Sequence, residues 1–335
     1  MENKSKVDQK DLKIIAVLEE DGRMPLTQLA KKLHTSQQVI SYRMQSLQKK
    51  QVIGGYYTII DITKLGYTSY RTMLRLTNTD ENIRKEIISF LKEHPNILWI
   101  VDCGGKWDIL VNFMAKNIVQ YDSFLKELKN KFPENIQNYD VLVTVEGIYF
   151  GKDYLTKDKR DFTRLPSFGG ETSSTKLDKF DLLILKNMAK NGRINAVDIA
   201  QEAKMSPNTI VLRMKKLRKD GLIQGVKPLI HLENIGYQGY KALIKFQNIK
   251  EARQREIIRS LQSDISVVGI IRLVGLWDFE IEFEVQNQKE MLSKSKQFRD
   301  QFRDVIKEFE ILPLFHEYRY NFFPADLLET RKEII

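Results

Sequence analysis

Apolar residues return at helical period over the first stretch of the chain. In VDQKDLKIIAVLEEDGR, Leu12, Ile15 and Leu18, with Ile14 beside them, mark one face of a helix that Gly22 stops. PLTQLAKKLH opens with Pro25 at a helix start and carries Leu26, Leu29, Ala30 and Leu33 on one side. After a short turn, Ser36 is a good N-cap for a third helix running to about Lys50, with Ile40, Met44 and Leu47 on its buried side. Three short helices with a tight turn before the last predict a helix-turn-helix unit. The turn before such a helix favours positive φ, where glycine is usual; His34 stands there, so it reads as a turn residue rather than a ligand or base.

The period then changes. VIGGYYTIID is a short apolar strand. Strand SYRTMLRLT, helix ENIRKEIISFLKEH, strands NILWIVDCGG and KWDILVNFM around a glycine turn, helix NIVQYDSFLKELKNKF and strand NYDVLVTVEGIYF follow. This is βαββαβ, the ferredoxin-like order. Two helices cover one face of such a sheet; the other is bare, alternately apolar (Leu142, Val143, Val145, Ile148) and in need of a partner.

The whole pattern occurs twice. Ser36–Gly55 reads SQQVISYRMQSLQKKQVIGG and Ser206–Gly225 reads SPNTIVLRMKKLRKDGLIQG, an offset of 170 residues. The offset holds without a gap from Asp8/Asp178 to Tyr67/Tyr237, with about 18 identities in roughly 60 positions, and again at Trp107/Trp277 and Asp108/Asp278. The identities include Asp11/Asp181, Gly22/Gly192, Arg23/Arg193, Ala30/Ala200, Arg43/Arg213, Met44/Met214 and Leu47/Leu217, and Lys204 takes the place of His34. The expected class is α+β: winged-helix or helix-turn-helix domains plus ferredoxin-like βαββαβ domains, the whole unit duplicated. The expected boundaries are 1–60 and 61–150 for the first unit, 151–176 for a polar linker, and 177–230 and 231–325 for the second. Gly151–Lys176, with its Gly pair and Ser/Thr cluster, reads as an exposed linker ordered at most in its first residues. It is long enough for the two sheets of one chain to cover each other as an intramolecular pseudo-dimer; pairing between chains into a homo-oligomer stays open.

The composition is ordinary for a soluble protein, 42% hydrophobic and 29% charged over 335 residues. No apolar run approaches a membrane span, and the N-terminus MENKSKVDQKD lacks an apolar signal core, so the expected location is cytoplasmic with no membrane partner. The single cysteine, Cys103, allows no intrachain disulfide or cysteine metal cluster, and neither metal nor cofactor is expected. The formal charge of +10 favours a polyanionic partner.

Double-stranded DNA is that partner if the charge sits on the third helix. Its outer face gathers Gln37, Gln38, Ser41, Tyr42 and Gln45. Glutamine can pair with adenine edges, hydroxyls can reach bases or phosphates, and Arg43, Lys49 and Lys50 can neutralise phosphate. The competing reading is a solvated, glutamine-rich face. In the second copy the face changes to Pro207, Asn208, Val211, Leu212 and Lys215 beside the basic run RMKKLRK, which contains Arg213 and Lys216. Asn208 could read adenine and Val211 touch a thymine methyl, but Val211 and Leu212 could equally pack on protein.

A helix-turn-helix reading S-x3-[VIT]-x2-R-[MV]-x2-L-x3-[GQ]-[LV]-I-x-G, a ferredoxin-like domain and a G-x-W-D hairpin together resemble the Lrp/AsnC transcription regulators, over both halves. The resemblance implies recognition helices at Gln37–Lys50 and Pro207–Lys219. It implies C-terminal RAM domains that pair sheet to sheet and often sense amino acids. The effector hairpins would be Gly104, Gly105, Trp107 and Asp108, with Gly275, Trp277 and Asp278 in the second copy. Lys106 and Leu276 within the hairpins depart from the family pattern, as does Val274 in the place of Gly104. The competing reading of the tryptophans is core packing, and of the aspartates a turn cap.

Two other functions compete. Tandem proteins of this architecture resemble siroheme decarboxylases, whose chemistry needs basic residues and histidine near the sheet. Here the hairpin regions VDCGGKWDILV and RLVGLWDFEIE hold only Lys106 and Arg272 and no histidine; His34, His94, His231 and His316 lie elsewhere. No nucleophile–base pair or phosphate loop stands out, so no enzyme is expected. The third reading is a protein-interaction module whose helix-turn-helix units no longer bind DNA.

Overall fold

The structure, a computed structural model, describes residues 7–157 and 165–324. Residues 1–6, 158–164 in the middle of the expected linker, and 325–335, the first of which is the edge of the expected second RAM domain, lie outside it.

Helices α1 (Gln9–Glu20), α2 (Leu26–Lys32) and α3 (Gln37–Lys49) form the first helical unit. Asp8 and Asp11 make a reciprocal capping box at the start of α1, and the Ser36 hydroxyl accepts the Val39 amide at 3.3 Å to start α3. Helices α6 (Lys179–Lys190), α7 (Ala196–Ala203) and α8 (Pro207–Lys219) repeat the unit, with Pro207 at the first turn of α8. The turns before α3 and α8 use the left-handed region at His34 (φ 51°) and Lys204 (φ 53°), as the spacing predicts.

Strands β1 (Ile53–Ile60) and β7 (Ile223–Ile230) pair antiparallel and join the two helical units. Around them the two copies clasp each other. The Gly22 amide donates to Val226 O at 2.8 Å and the Gly192 amide to Tyr56 O at 2.7 Å. Arg23 reaches the carbonyls of Gly192 (2.5 Å) and Ile194 (2.9 Å), and Arg193 those of Gly22 (2.7 Å) and Met24 (3.3 Å). The Gly-Arg pair kept in both copies therefore serves the contact between them. A Cβ on Gly22 would stand 2.7 Å from the Val226 carbonyl oxygen.

The remaining elements are β2 (Thr68–Leu76), α4 (Glu81–Glu93), β3 (Ile97–Cys103), β4 (Ile109–Ala115), α5 (Ile118–Lys131), β5 (Ile136–Tyr149) and β6 (Ser167–Gly169) in and after the first half. The second half supplies β8 (Gln238–Phe246), α9 (Glu251–Ser263), β9 (Val267–Val274), β10 (Phe279–Val285), α10 (Gln288–Gln301) and β11 (Ile306–Tyr320). Each half builds a four-stranded antiparallel sheet, β5-β2-β4-β3 and β11-β8-β10-β9. The two sheets meet at both edges, β3 with β11 and β5 with β9, and close into one barrel. Closure leaves no free edge among these eight strands. The two long strands make it possible: the first part of β11 pairs with β8 and its last part with β3.

Helices α4 and α5 cover the outer face of the first sheet over Leu74, Ile97, Ile109, Val111 and Phe113. Helices α9 and α10 cover that of the second over Ile244, Ile270, Phe279, Ile281 and Phe283. The faces left bare by the helices look into the barrel, where Met73, Leu98, Leu110, Leu142, Leu243, Ile271 and Leu312 are buried.

The segment read as an exposed linker is a correction. Tyr154 and Leu155 are buried in a short 3-10 turn, Phe168 is buried in β6 against β5, and the Ser173 and Thr175 amides bond to Thr63 O and Lys64 O, each at 2.9 Å. Three large side chains spread through a polar stretch make no period, so patterning misses them.

Gly22→Ala should force the two copies apart at the clasp, lowering stability by about 1–3 kcal/mol, the usual cost of overpacking. The midpoint of urea unfolding measures it; an unchanged midpoint would show that the clasp tolerates a methyl group.

Candidate nucleic-acid interface

The recognition helices are built as the sequence predicts. Ile40, Met44 and Leu47 bury one side of α3, and Ile210 and Leu217 that of α8. On the opposite side of α3, Gln37, Gln38, Tyr42 and Gln45 are exposed, Tyr42 at 73%, with Ser41 half-buried and Lys49 free at the last turn. On α8, Asn208, Val211, Leu212, Lys215 and Lys216 are exposed, Leu212 at 66%, and Arg218 and Lys219 extend the basic end. The exposed set on α3 is rich in amides and uncharged apart from Lys49 at its end; that on α8 is basic with an apolar step.

Arg43 and Arg213 stand apart from these faces, against the expectation that they meet phosphate. Arg43 Nη1 bonds to Asp8 Oδ2 at 2.7 Å and Asp11 Oδ1 at 2.8 Å. Arg213 Nη1 bonds to Asp178 Oδ2 at 2.8 Å and Asp181 Oδ1 at 2.7 Å. Each arginine ties the recognition helix to the capping box of its unit's first helix. Charge-assisted bonds to two carboxylates, one of them buried, hold the guanidinium inward. The signal was present in the sequence: all three positions of each clamp are identical in the two copies.

The hairpins expected to hold an effector also dock the two halves. The Gly104 amide donates to Pro313 O at 3.0 Å, and a Cβ on Gly275 would stand 2.8 Å from the Leu142 side chain. Gly105 (φ 96°) and Gly275 (φ 142°) use backbone open to glycine. Asp108 accepts the Leu76 amide and Asp278 the Phe246 amide, each at 2.8 Å, so both aspartates pin the hairpin to the neighbouring strand. Trp107 and Trp277 are buried, and among the described residues neither indole N–H has a partner. Burial, with Asp108 and Asp102 nearby, pushes the Cys103 thiol up to about 12, leaving it inert.

Two cavities lie near these features. One, about 470 Å³ and open, is lined by Arg75, Lys106, Trp107, Gln137 and Asn138. Of the hairpin residues expected at an effector site, Trp107 alone lines it. The corresponding positions of the second copy are Lys245, Leu276, Trp277, Lys307 and Glu308. The other, between the sheets beside Arg71, Trp99, Lys241 and Glu282, is about 20 Å³, room for a single water.

Residues 7–48 match the AsnC-type helix-turn-helix domain, and residues 177–224 the winged helix-turn-helix DNA-binding family. The HTH-type transcriptional regulator LrpA of Pyrococcus horikoshii is 35% identical over 113 residues, 33% of this chain and 77% of that protein. The chain belongs to the Lrp/AsnC family of transcription regulators. Regulator FL11 of the same organism is 29% identical over 119 residues, 36% of this chain and 78% of that protein. Each Lrp/AsnC relative thus spans about one of the two units, as a duplication requires. Among solved structures, the siroheme decarboxylase NirDL superposes over 98% of both chains with a TM-score of 0.59 at 12% identity, a likeness of fold alone. No helix among the described residues is long and apolar enough to cross a membrane.

Arg43→Met should leave the buried Asp11 without its ion-pair partner and cost about 1.5–3 kcal/mol, while the salt slope of DNA binding by the folded protein stays unchanged. The Asp11 amide first, then the Arg43 guanidinium, hold the Asp8 carboxyl below its ordinary value of 3.8. A lowered folded pKa means that this stabilisation is full above 3.8 and is lost as the pH falls through the lower folded value. Unfolding midpoints at neutral and acid pH, and titrations of DNA binding against salt, check both statements.

Proposed function

We propose that this Lrp/AsnC protein binds duplex DNA as a single-chain reader with two unlike heads, α3 and α8, and favours an asymmetric site. The observation that carries this is the contrast between the two exposed faces, set in one clasped pair of helical units. Gln37, Gln38, Ser41 and Gln45 suit base edges in a major groove. Lys215, Lys216 and Lys49 suit phosphates, with Asn208 and Val211 toward bases. A homodimer carries two identical heads and favours a palindrome; this chain does not. A tetrapyrrole enzyme is the weaker reading, because the space between the sheets admits one water and the α3 and α8 faces would then serve nothing.

Gln38→Ala should relax sequence preference by about 1–3 kcal/mol at the base it reads. Lys215→Gln should weaken binding to all sequences and lower the salt slope by about one. Selection from random duplexes should return two unlike half-sites about one helical turn apart. A clean palindrome as the best site would contradict the reading.

For the effector, we read the open cavity of the first copy as the place for an amino acid, its carboxylate toward Arg75 and Lys106. The second copy offers Leu276 and Glu308 in the corresponding places, so one effector per chain is expected. Among the twenty amino acids at millimolar concentration, at least one should raise the Tm of the native protein and none that of Lys106→Leu. A panel that leaves the native Tm unmoved would sink the effector reading.

A further inference from the structure

The inside of the barrel is not apolar throughout. On β10, Phe279, Ile281, Phe283 and Val285 face the helices, so Glu280, Glu282 and Glu284 face the other half. At the same positions of β4 the first half carries Leu110, Asn112 and Met114. Lys241 Nζ bonds to Glu280 at 2.6 Å and Glu282 at 3.1 Å, and Arg71, from the first half, bonds to Glu280 at 3.0 Å. Lys152, at the end of the first half, pairs with Glu284, which also accepts the Tyr154 hydroxyl. Burial works against the charge on Lys241, but Glu280 and Glu282 outweigh it and raise its pKa. A separate pair crosses the clasp, with Lys227 Nζ of the second half 3.0 Å from Glu19 of the first. Its counterparts by the repeat are Tyr57 and Ala189, neither charged. Glu317 accepts the Trp99 indole at 2.9 Å and lines the same small cavity as Arg71, Lys241 and Glu282, where desolvation pushes its carboxyl above the ordinary value; the carboxylates of the lane are the set on β10 that it flanks.

We infer that this inward lane of charge selects the partner of each half, so that a first half pairs only with a second half and every reader carries one head of each kind. In the mixed pair, Arg71, Lys152 and Lys241 meet Glu280, Glu282 and Glu284, and the charges cancel. Two first halves would bring together two copies of Arg71 and Lys152 with Leu110, Asn112 and Met114 and no carboxylate in the lane. Two second halves would set six glutamates against two copies of Lys241. Uncompensated buried ions are the costly outcome in either case, whereas the balanced pair leaves none. The lane makes little net stability of its own, since burying ions roughly offsets their attraction; its effect is on which halves can meet.

The test refolds the full chain from guanidinium at low and high protein concentration and reads mass by sedimentation. The native chain should return at both concentrations as a single species of one-chain mass. Arg71→Met with Glu280→Met removes one of the two lane contacts between the halves; it leaves Lys241 with Glu282 inside the second half and Lys152 with Glu284 between the halves. Refolded at high concentration, it should lose a measurable part of the single-chain species to assemblies of two chains and more, as like halves pair. A six-site variant (R71M, K152M, K241M, E280L, E282N, E284M) removes every charge of the lane together and should lose the single-chain species further. If the six-site variant does not fold, the two-site variant still decides. A two-site variant that refolds as single chains in the native proportion would overturn the inference, as would a native chain that scrambles into multimers at high concentration.

Discussion

A four-stranded βαββαβ sheet has one face too many. Helices reach one side, and the other presents a layer of apolar side chains that water disfavours at about 25 cal/mol for each Å² exposed. In this protein the second sheet covers that face, and the two sheets also join at both edges. Much else depends on this closure. It puts the hairpins against the opposite half, makes the strand ends after β5 and β11 converge on the barrel, and brings β1 beside β7 so that the helical units are carried as a pair. Closure also explains why the connecting segment is packed: Tyr154 and Phe168 are apolar surface that the barrel and its neighbours can bury, and chain near a closed end is better placed on it than in water.

The duplication has kept some features alike and let others diverge, and the division is physical. Elements that act within a unit are the same in both copies: the capping aspartates, the arginine clamps and the cap serine of the recognition helix. Elements that act reciprocally across the clasp are also the same, because Arg23 and Arg193 each bind the other copy's backbone by the same geometry. What differs faces a partner that differs. The outer sides of α3 and α8, the two proposed reading heads, carry different exposed residues. The lanes of β4 and β10 face each other, so one can become acidic only if the opposite side supplies base. Once Glu280 and Arg71 stand together, the two halves are no longer interchangeable.

Much of this was legible in the sequence because it rests on short-range rules. Helical period, cap residues, the change to strands and the 170-residue offset specify the helical units and both βαββαβ orders. The faces of α3 and α8 followed from period alone. What escaped needed a third dimension. Arg43 is basic and sits on a helix expected at DNA, so sequence logic sends it to phosphate; only the folded unit shows Asp8 and Asp11 within reach. Closure at the sheet edges depends on the lengths of β5 and β11, which strand propensity does not reveal. FEIEFEV reads as an amphipathic strand with one side in water, yet its glutamates face the barrel interior. Alternation reports that two faces differ, not which one is wet.

Rigid pairing changes what fusion does for binding. A flexible link would hold the second head near its half-site at an effective concentration on the order of millimolar and tolerate many spacings. Here the heads are tied by β1 and β7, by four arginine–carbonyl bonds and by the closed barrel beneath, so the linker has little part in setting their separation. For a rigid pair the gain from the second contact is large at one spacing and collapses away from it, since a strained clasp or bent DNA must supply the difference. The clamps then acquire a second meaning: by fixing each recognition helix to the first helix of its unit, Arg43 and Arg213 remove the freedom that would let a head adjust to a mis-spaced site. Specificity in such a reader comes from two sources, the bases each head contacts and the distance the clasp imposes. The second acts even where the basic face of α8 reads few bases itself.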